Sequence, residues 1–294
     1  MNTRLLFLHA LSPLHAGTGQ SVGAIELAIA RDCATGYPYL PGSSLKGSLR
    51  DRSEAGGNEQ KTRSLFGPPT EQAAEHAGAL IVGDANLLLL PVRSVAGTFA
   101  WVTSPYLLRR CTRDALEIGF AAEALPKVPS PSLGDAQVTG VCSLKAQFGG
   151  KERVIFEDLD LLPAPHPDAQ DWAAWIGARL FPGDAAWAAM LTERFCIVHD
   201  DVMGFFSQHA TDVVARVALK RDTKTVENLW HEESLPVESV LLSVIGALPN
   251  VMTGLSVAQL LEEVAKLTAA PLQVGGKATV GRGRCRLVLV GEEG

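Results

Sequence analysis

The chain has 294 residues, 47% of them hydrophobic and 20% charged, which is enough apolar content to bury a core and excludes wholesale disorder. With 26 Lys and Arg against 32 Asp and Glu, the formal charge is -6, which excludes a uniformly basic nucleic-acid binder but leaves room for basic stripes on an acidic body. The five cysteines, Cys33, Cys111, Cys142, Cys196 and Cys285, show no CxxC spacing, and HExxH, HxxxH and GxSxG are missing. Zinc sites, disulfide frameworks and α/β-hydrolase chemistry therefore have no support.

Residues 4–11 read as an opening strand. The N-terminus turns polar at His9 and has no small-residue cleavage site, so a signal peptide is not expected. A glycine-rich loop covers 15–23, a second short strand is expected over 25–29, and 36–42 is a turn cluster. Residues 43–52 predict a helix capped by serine, with Leu45 and Leu49 on its buried face. Gly47 weakens that helix by about 1 kcal/mol unless something must approach closely there. The polar stretch 51–75 reads as a connecting loop with some helix. Strands follow at 80–92 and 98–103, then a helix at 106–122 with Arg109 and Arg110 on its surface. Because Asp84 interrupts the apolar run at 80–92, that run is too short to cross a membrane, and a cytoplasmic setting is expected.

A proline-rich loop at 126–136 and a strand at 154–161 come next. Trp172, Trp175, Ile176 and Leu180 fall at helical spacing, which favours core packing over cofactor stacking. Ser256 and Gln259 form a capping box ahead of an apolar face of Val257, Leu260, Leu261, Val264 and Leu267. A glycine loop and a strand at 284–290 close the chain. Neither a repeat nor a linker divides it, so a single domain over 1–294 is expected.

Some segments carry chemistry. In 40–50, Lys46 and Arg50 share one helix face, where they repel each other and meet the positive end of the helix dipole. With Ser43, Ser44 and the small Gly47, this arrangement points to a phosphate from outside; the alternative is a solvated basic face. In 273–284, Gly275, Gly276, Gly281 and Gly283 stand among Lys277, Arg282 and Arg284. Arg282-Gly283 occupies the place where a Walker loop needs Lys-Ser/Thr, and GxGxxG is missing, so no nucleotide cofactor is expected. The loop either presents N–H groups and cations to a polynucleotide backbone or is an ordinary connection. His15, Glu26 and Asp32 lie close in sequence; a carboxylate there could bind Mg²⁺ or take a proton, or be a plain surface charge. Residues 212–236 read as a long exposed hairpin with Lys220, Arg221 and Lys224 at its tip; the alternative is an arm used only for packing.

In order, His15-Ala-Gly-Thr-Gly, Pro41-Gly-Ser-Ser-Leu-Lys-Gly-Ser-Leu-Arg, Val82-Gly-Asp-Ala-Asn, Trp101-Val-Thr-Ser-Pro-Tyr, Leu229-Trp-His-Glu-Glu-Ser-Leu-Pro and the glycine-rich end resemble the RAMP superfamily of CRISPR proteins. More closely, the chain resembles the repeating backbone subunit of type III-B (Cmr) effector complexes, with the type III-A (Csm) backbone subunit a more distant likeness. Residues 122–194 match least. The resemblance implies an α+β, ferredoxin-like (RRM-like, βαββαβ) core with large insertions and a protruding β-hairpin thumb at 212–236. It implies copies stacked head to tail along one guide crRNA, other Cmr subunits, and capture of complementary target RNA.

By position, Ser43, Ser44, Lys46, Arg50, Gly275, Gly276, Lys277, Arg282 and Gly283 correspond to guide-backbone contacts. Lys220, Arg221 and Lys224 belong to the thumb that displaces a base pair at regular intervals. The family uses an Asp after the His-Gly motif for divalent-metal-dependent cleavage of target RNA. Here Glu26 aligns with it, with His15 nearby and Asp32 the next acid. The carboxylate is one methylene longer, and a misplacement of about 1 Å can cost about 10²-fold in rate. Two classes follow: a guide-binding endoribonuclease, and the same scaffold with cleavage weakened or lost.

Overall fold

The computed structural model describes residues 2–18, 25–72, 75–249 and 255–291. Its centre is the opening strand Asn2–Ala10, where Leu5, Leu6, Phe7 and Leu8 are all fully buried. A strand without polar alternation needs cover on both faces, and this one has it. Leu6 and Leu8 face a core shared with Leu45 and Leu49 of the helix Gly42–Ala55 and Leu260, Leu261 and Val264 of the helix Val257–Thr268. Leu5 and Phe7 face a second core with Leu108 and Cys111 of the helix Pro105–Glu117 and Trp172 and Ile176 of the helix Pro167–Leu180.

Asn2–Ala10 pairs antiparallel with Arg284–Val290 on one side and Val240–Ala247 on the other, and Val240–Ala247 pairs antiparallel with Ala85–Arg93. In chain order these are the first, fourth, third and second strands of a βαββαβ unit, in spatial order 4-1-3-2, with Gly42–Ala55 and Val257–Thr268 as its helices. That is the ferredoxin-like core expected from the sequence. Beyond Ala85–Arg93 the sheet continues through Phe99–Thr103, Phe195–Val198, Asp135–Val138, Leu159–Pro165, Lys151–Phe156 and Lys145–Phe148. The poorly matching residues 122–194 are therefore largely an insertion that extends one edge of the sheet. Asp212–Leu219 and Val226–Ser234 form a separate two-stranded sheet, as the hairpin reading requires.

Local differences have identifiable causes. Residues 25–29 do not form a strand. Leu27 bonds to His231 and Glu233 of the hairpin, while Ala28 and Ala30 bond to Thr18 and Ala16, so no ladder extends on either side. The serine cap is replaced: Pro41 is the N-cap and makes no side-chain cap bond, and the first helical N–H, on Gly42, donates to Asp84 Oδ1 at 2.7 Å. A Cβ at Gly42 would lie 2.4 Å from the Val82 carbonyl oxygen, so only glycine starts a helix that close to this strand. Gly83 and Asp84 break the run at 80–92 into Leu80–Val82 and Ala85–Arg93. The stretch 51–75 holds the helix Glu59–Phe66, and 154–161 is a hairpin turning at Glu157, whose φ is +49°. The capping box of Ser256 and Gln259 forms as expected. Trp172 and Trp175 are core residues. Residues 19–23 of the glycine-rich loop lie outside the described residues. Among the described residues, no helix is long and apolar enough to cross a membrane.

Candidate functional site

His15, 6% exposed, draws three distant segments together. Its ring Nδ1 pairs with the Glu233 carbonyl oxygen at 2.7 Å, and its own carbonyl accepts the Gly276 N–H at 2.9 Å. Gly275 has a φ of +75°, and a Cβ there would lie 2.6 Å from the His15 carbonyl oxygen, so the loop can seat here only as glycine. Gly283 is equally constrained, by the Val274 carbonyl. The result is a cleft of about 340 Å³ whose walls include His15, Gly17, Ser44, Gly275, Gly276 and Lys277. The glycine-rich segment after the first strand, the start of the first helix and the C-terminal glycine loop thus share one concavity.

The cations are less free than their spacing predicts. Lys46 Nζ donates to the Leu80 carbonyl at 3.0 Å, and burial, then the nearby Arg50, push its pKa down. Arg50 pairs with Glu54 at 2.9 Å and donates to the Pro68 carbonyl at 3.2 Å. Partners within the chain thus take up the donors of both cations, although Arg50 still disfavours charge on Lys46. Ser43 is exposed and Ser44 half-buried in the first helical turn. Lys277 pairs with Glu232 at 3.0 Å while keeping part of its surface in the cleft wall. Arg282 is a correction: it is 7% exposed, and its guanidinium donates to Ser234 Oγ at 3.0 Å, so it anchors the hairpin rather than facing a ligand.

The carboxylates separate. Glu26 is exposed; its Oε2 accepts the His231 N–H at 2.8 Å and lies 3.6 Å from His231 Nδ1. That backbone hydrogen bond is the main reason its pKa is lowered. Leu27 and Ala28 line the His15 cleft and Glu26 does not; the contacts of the Glu26 carboxylate are with His231 of the hairpin. Asp32 closes its own turn, with Oδ1 accepting from the Ala34 N–H, the Thr35 N–H and Thr35 Oγ1. Its pKa is lowered chiefly by the Thr35 hydroxyl. A structural role accounts for Asp32. Among the described residues, no group of three or more His, Cys, Asp or Glu is placed to hold a metal ion.

The hairpin root holds acids that the sequence reading passed over. Glu233, 4% exposed, accepts from Arg31 at 2.5 Å, Thr211 Oγ1 at 2.9 Å and the Ile29 N–H at 3.2 Å. Glu232 accepts from the Trp230 indole at 2.9 Å and Lys277 at 3.0 Å, with Arg216 at 3.3 Å. Burial would raise its pKa, but the Trp230 and Lys277 hydrogen bonds and the charges of Lys277 and Arg216 outweigh it and lower the value to about 2. The sequence signals for this pair were two adjacent acids at the end of an exposed strand and their place in the Leu229–Pro236 segment that carries the resemblance. Farther out, Lys220, Arg221 and Lys224 are exposed at the tip, above exposed Val213, Val217, Leu219, Val226 and Leu229.

A long arm on a charged root, a histidine-centred cleft and a βαββαβ core define the class. The RAMP superfamily model matches residues 7–286, and the chain belongs to that superfamily. It is 33% identical over 293 residues to the CRISPR system Cmr endoribonuclease Cmr4 of Pyrococcus furiosus, covering 98% of this chain and 96% of that protein. It is 24% identical to the CMR subunit Cmr4 of Saccharolobus solfataricus, over 94% of this chain and 93% of that one. The crystal structure of oligomeric Cmr4 from Pyrococcus furiosus matches with a TM-score of 0.77 at 26% identity, covering 100% of both chains. A chain of the type III-B Cmr-beta complex bound to cognate target RNA shares the fold, with a TM-score of 0.74 at 20% identity, over 98% of this chain and 97% of that one.

Proposed function

We propose that this chain is a guide-crRNA-binding backbone subunit of a cytoplasmic type III-B complex, repeated head to tail among other Cmr subunits, and that it captures complementary target RNA and cuts it beside the thumb. The observation that carries this reading is the His15 cleft. It gathers exposed glycine-loop backbone, Lys277 and the Ser44 turn at the foot of a rigid arm, a geometry suited to a sugar-phosphate backbone that must be held without reading bases. Lys277 adds positive charge to the cleft wall while tied to Glu232, so it positions a strand more than it attracts it. The near full-length likeness to a Cmr endoribonuclease supports the cutting step.

For cleavage, Glu26 is the acid best placed. It is exposed, ionised and held against the thumb strand at His231. The reaction is attack of a ribose 2′-OH on its neighbouring phosphate to form a 2′,3′-cyclic phosphate; the 2′-OH gives its proton to the Glu26 carboxylate, and the 5′-oxygen of the next nucleotide leaves and takes a proton from water. The protein's part is to hold one unpaired nucleotide in line. A Mg²⁺ ion here would be held by the Glu26 carboxylate together with the RNA phosphate. Such an ion would stabilise charge on the phosphate.

The assembled complex should be incubated with end-labelled complementary RNA and Mg²⁺. A ladder of evenly spaced products is expected, and Glu26→Ala should abolish it without loosening target binding. Equal cutting by Glu26→Ala removes Glu26 from the reaction. If wild type binds but does not cut and Glu26→Asp cuts, the chain is a scaffold silenced by one methylene. Failure to bind complementary RNA in preference to a scrambled strand defeats the whole reading.

A further inference from the structure

The long sheet ends in two unlike edges. One is Lys145–Phe148, a short strand that carries Lys145 and Gln147, the kind of edge that discourages further pairing. The other is Arg284–Val290, whose outer side is covered only by the strand Leu272–Gln273, opposite Cys285 and Arg284. Beyond that point Pro271 leads the chain away, and its carbonyl accepts from Arg52 at 2.6 Å. Leu287, Val288, Leu289 and Val290 remain as an apolar edge, in unbroken register with the opening strand on their inner side. We infer that this edge is a docking slot for an extended segment of another protein chain, which joins the sheet as one more strand and sets a carboxylate against Arg286.

Backbone phase decides which groups are free. The Arg284 carbonyl accepts the Leu11 and Ser12 N–H groups, and the Arg284 N–H donates to Ser12 Oγ, so Arg284 turns its backbone inward. With a period of two, Arg286, Val288 and Val290 do the same, and Leu287 and Leu289 direct their N–H and C=O groups outward. Among the described residues, nothing pairs with these outward groups. They lie along a slot of about 610 Å³. Pro182, Gly183 and Asp184 wall it on one face of the sheet, and Ala265, Thr268 and Ala269, at the end of the helix Val257–Thr268, wall it on the other. An edge recessed between two walls admits a single strand and shuts out the edge of a second sheet. The small side chains of Gly183, Ala265 and Ala269 let that strand come close.

The charge of the slot selects the occupant. Arg286 is half-buried, lies on the same face as Val288 and Val290, and makes no hydrogen bond or ion pair among the described residues. Asp184 is already engaged as the cap of the helix Ala185–Arg194, its Oδ1 accepting the Trp187 N–H at 3.2 Å. The free charge is therefore the guanidinium. It matches a strand with an acidic residue and, two positions away on the same face, an apolar one to lie against Val288. A polynucleotide does not fit, because its phosphates would face the outward carbonyls of Leu287 and Leu289.

The test uses the full chain and a blocked peptide, Thr-Glu-Thr-Val-Thr-Val-Thr, beside a version with Lys in place of Glu, with binding read by calorimetry. The Glu peptide should bind about fivefold tighter than the Lys peptide, and Arg286→Glu should reverse the order. N-methylation of alternate peptide residues should abolish binding for one set and spare it for the other, because only every second N–H of a strand faces its neighbour. Ala269→Trp, on the exposed wall, should block the peptide. Failure of either peptide to bind saturably, equal loss with both N-methylated sets, or an order that survives Arg286→Glu overturns the slot. If Ala269→Trp instead separates copies of the chain from one another in sedimentation, the occupant is a second copy and the inference falls.

Discussion

The two ends of the hairpin are built on opposite principles. At the root, Glu232, Glu233 and Arg282 are nearly buried, and their polar atoms are paired with Arg216, Lys277, Trp230, Arg31, Thr211 and Ser234. At the tip, Lys220, Arg221 and Lys224 are exposed, and the valines and leucines behind them have no cover among the described residues. Root charges fix the angle of the arm because each would be costly to leave unpaired. Tip charges contribute almost nothing to the fold and are available to a partner. A single element is therefore rigid where it meets the core and the Glu26 segment, and open where it reaches outward.

The largest effect should come from breaking the root. Glu233→Ala removes the acceptor shared by Arg31, the Ile29 N–H and Thr211, leaves Arg31 only the Gly36 and Ser207 carbonyls, and opens space under residues 27–29. Removing one partner of a buried pair costs roughly 3–5 kcal/mol, moderated here because Arg31 is partly solvated. A fall in Tm of several degrees by calorimetry is expected. An unchanged Tm would show that the root pairs contribute no more than surface ones.

Next is Gly275→Ala. The left-handed φ and the approach to the His15 carbonyl make alanine unfavourable by about 1–3 kcal/mol. The expected outcome is a smaller drop in Tm together with weaker guide binding, because the loop must back away from the cleft. Gly47→Ala is the control: a Cβ there meets nothing within 4 Å, and helix propensity should raise stability by up to about 1 kcal/mol.

Acid should loosen the root in a definable window. The Glu232 carboxyl is lowered in the folded chain from 4.5 to about 2. A depressed carboxyl contributes stability that is complete above its unfolded value and is lost as pH falls through the folded one. Glu232 should therefore lose its contribution between about pH 4.5 and pH 2. Glu232→Gln, less stable at neutral pH, should show a flatter acid limb in unfolding. Parallel limbs for the two proteins would remove Glu232 from the acid response.

The same contrast explains what was legible in the sequence. The strand Arg284–Val290, the capping box at Ser256 and the hairpin were readable because periodicity, caps and turn residues are local signals. The tip cations were readable because exposed charge needs no partner. The root was not: adjacent acids in a strand look like surface, and only the fold brings Arg31, Arg216 and Lys277 to them. Lys46 and Arg50 failed as an argument from repulsion for the same reason, since Leu80, Pro68 and Glu54 take up their donors. Glu26 was found through the resemblance, while its hydrogen bond to His231 needed coordinates.

The smallest effect on the fold, and the sharpest test of the contrast, is at the tip. Lys220, Arg221 and Lys224 form no ion pair among the described residues, so replacing all three with Ala should change stability by no more than about 0.5 kcal/mol. The turn itself should survive, because Lys220 N–H bonds to the Thr225 carbonyl at 2.9 Å through backbone atoms. Lys224 has a φ of +57°, so its replacement by Gly is the better single change there, relieving strain while removing charge. In the assembled complex the tip cations should act on nucleic acid through phosphate alone, adding affinity without base identity. Each cation that touches a phosphate steepens the dependence of log affinity on log salt by roughly one unit, so the triple variant should bind target RNA with a shallower slope by about one to three. Its affinity should approach that of wild type at high salt, where counterion release no longer favours binding. A drop in Tm of several degrees would show that the tip is structural after all. An unchanged salt slope would show that the arm meets its partner through the exposed valines and leucines, with the cations as bystanders.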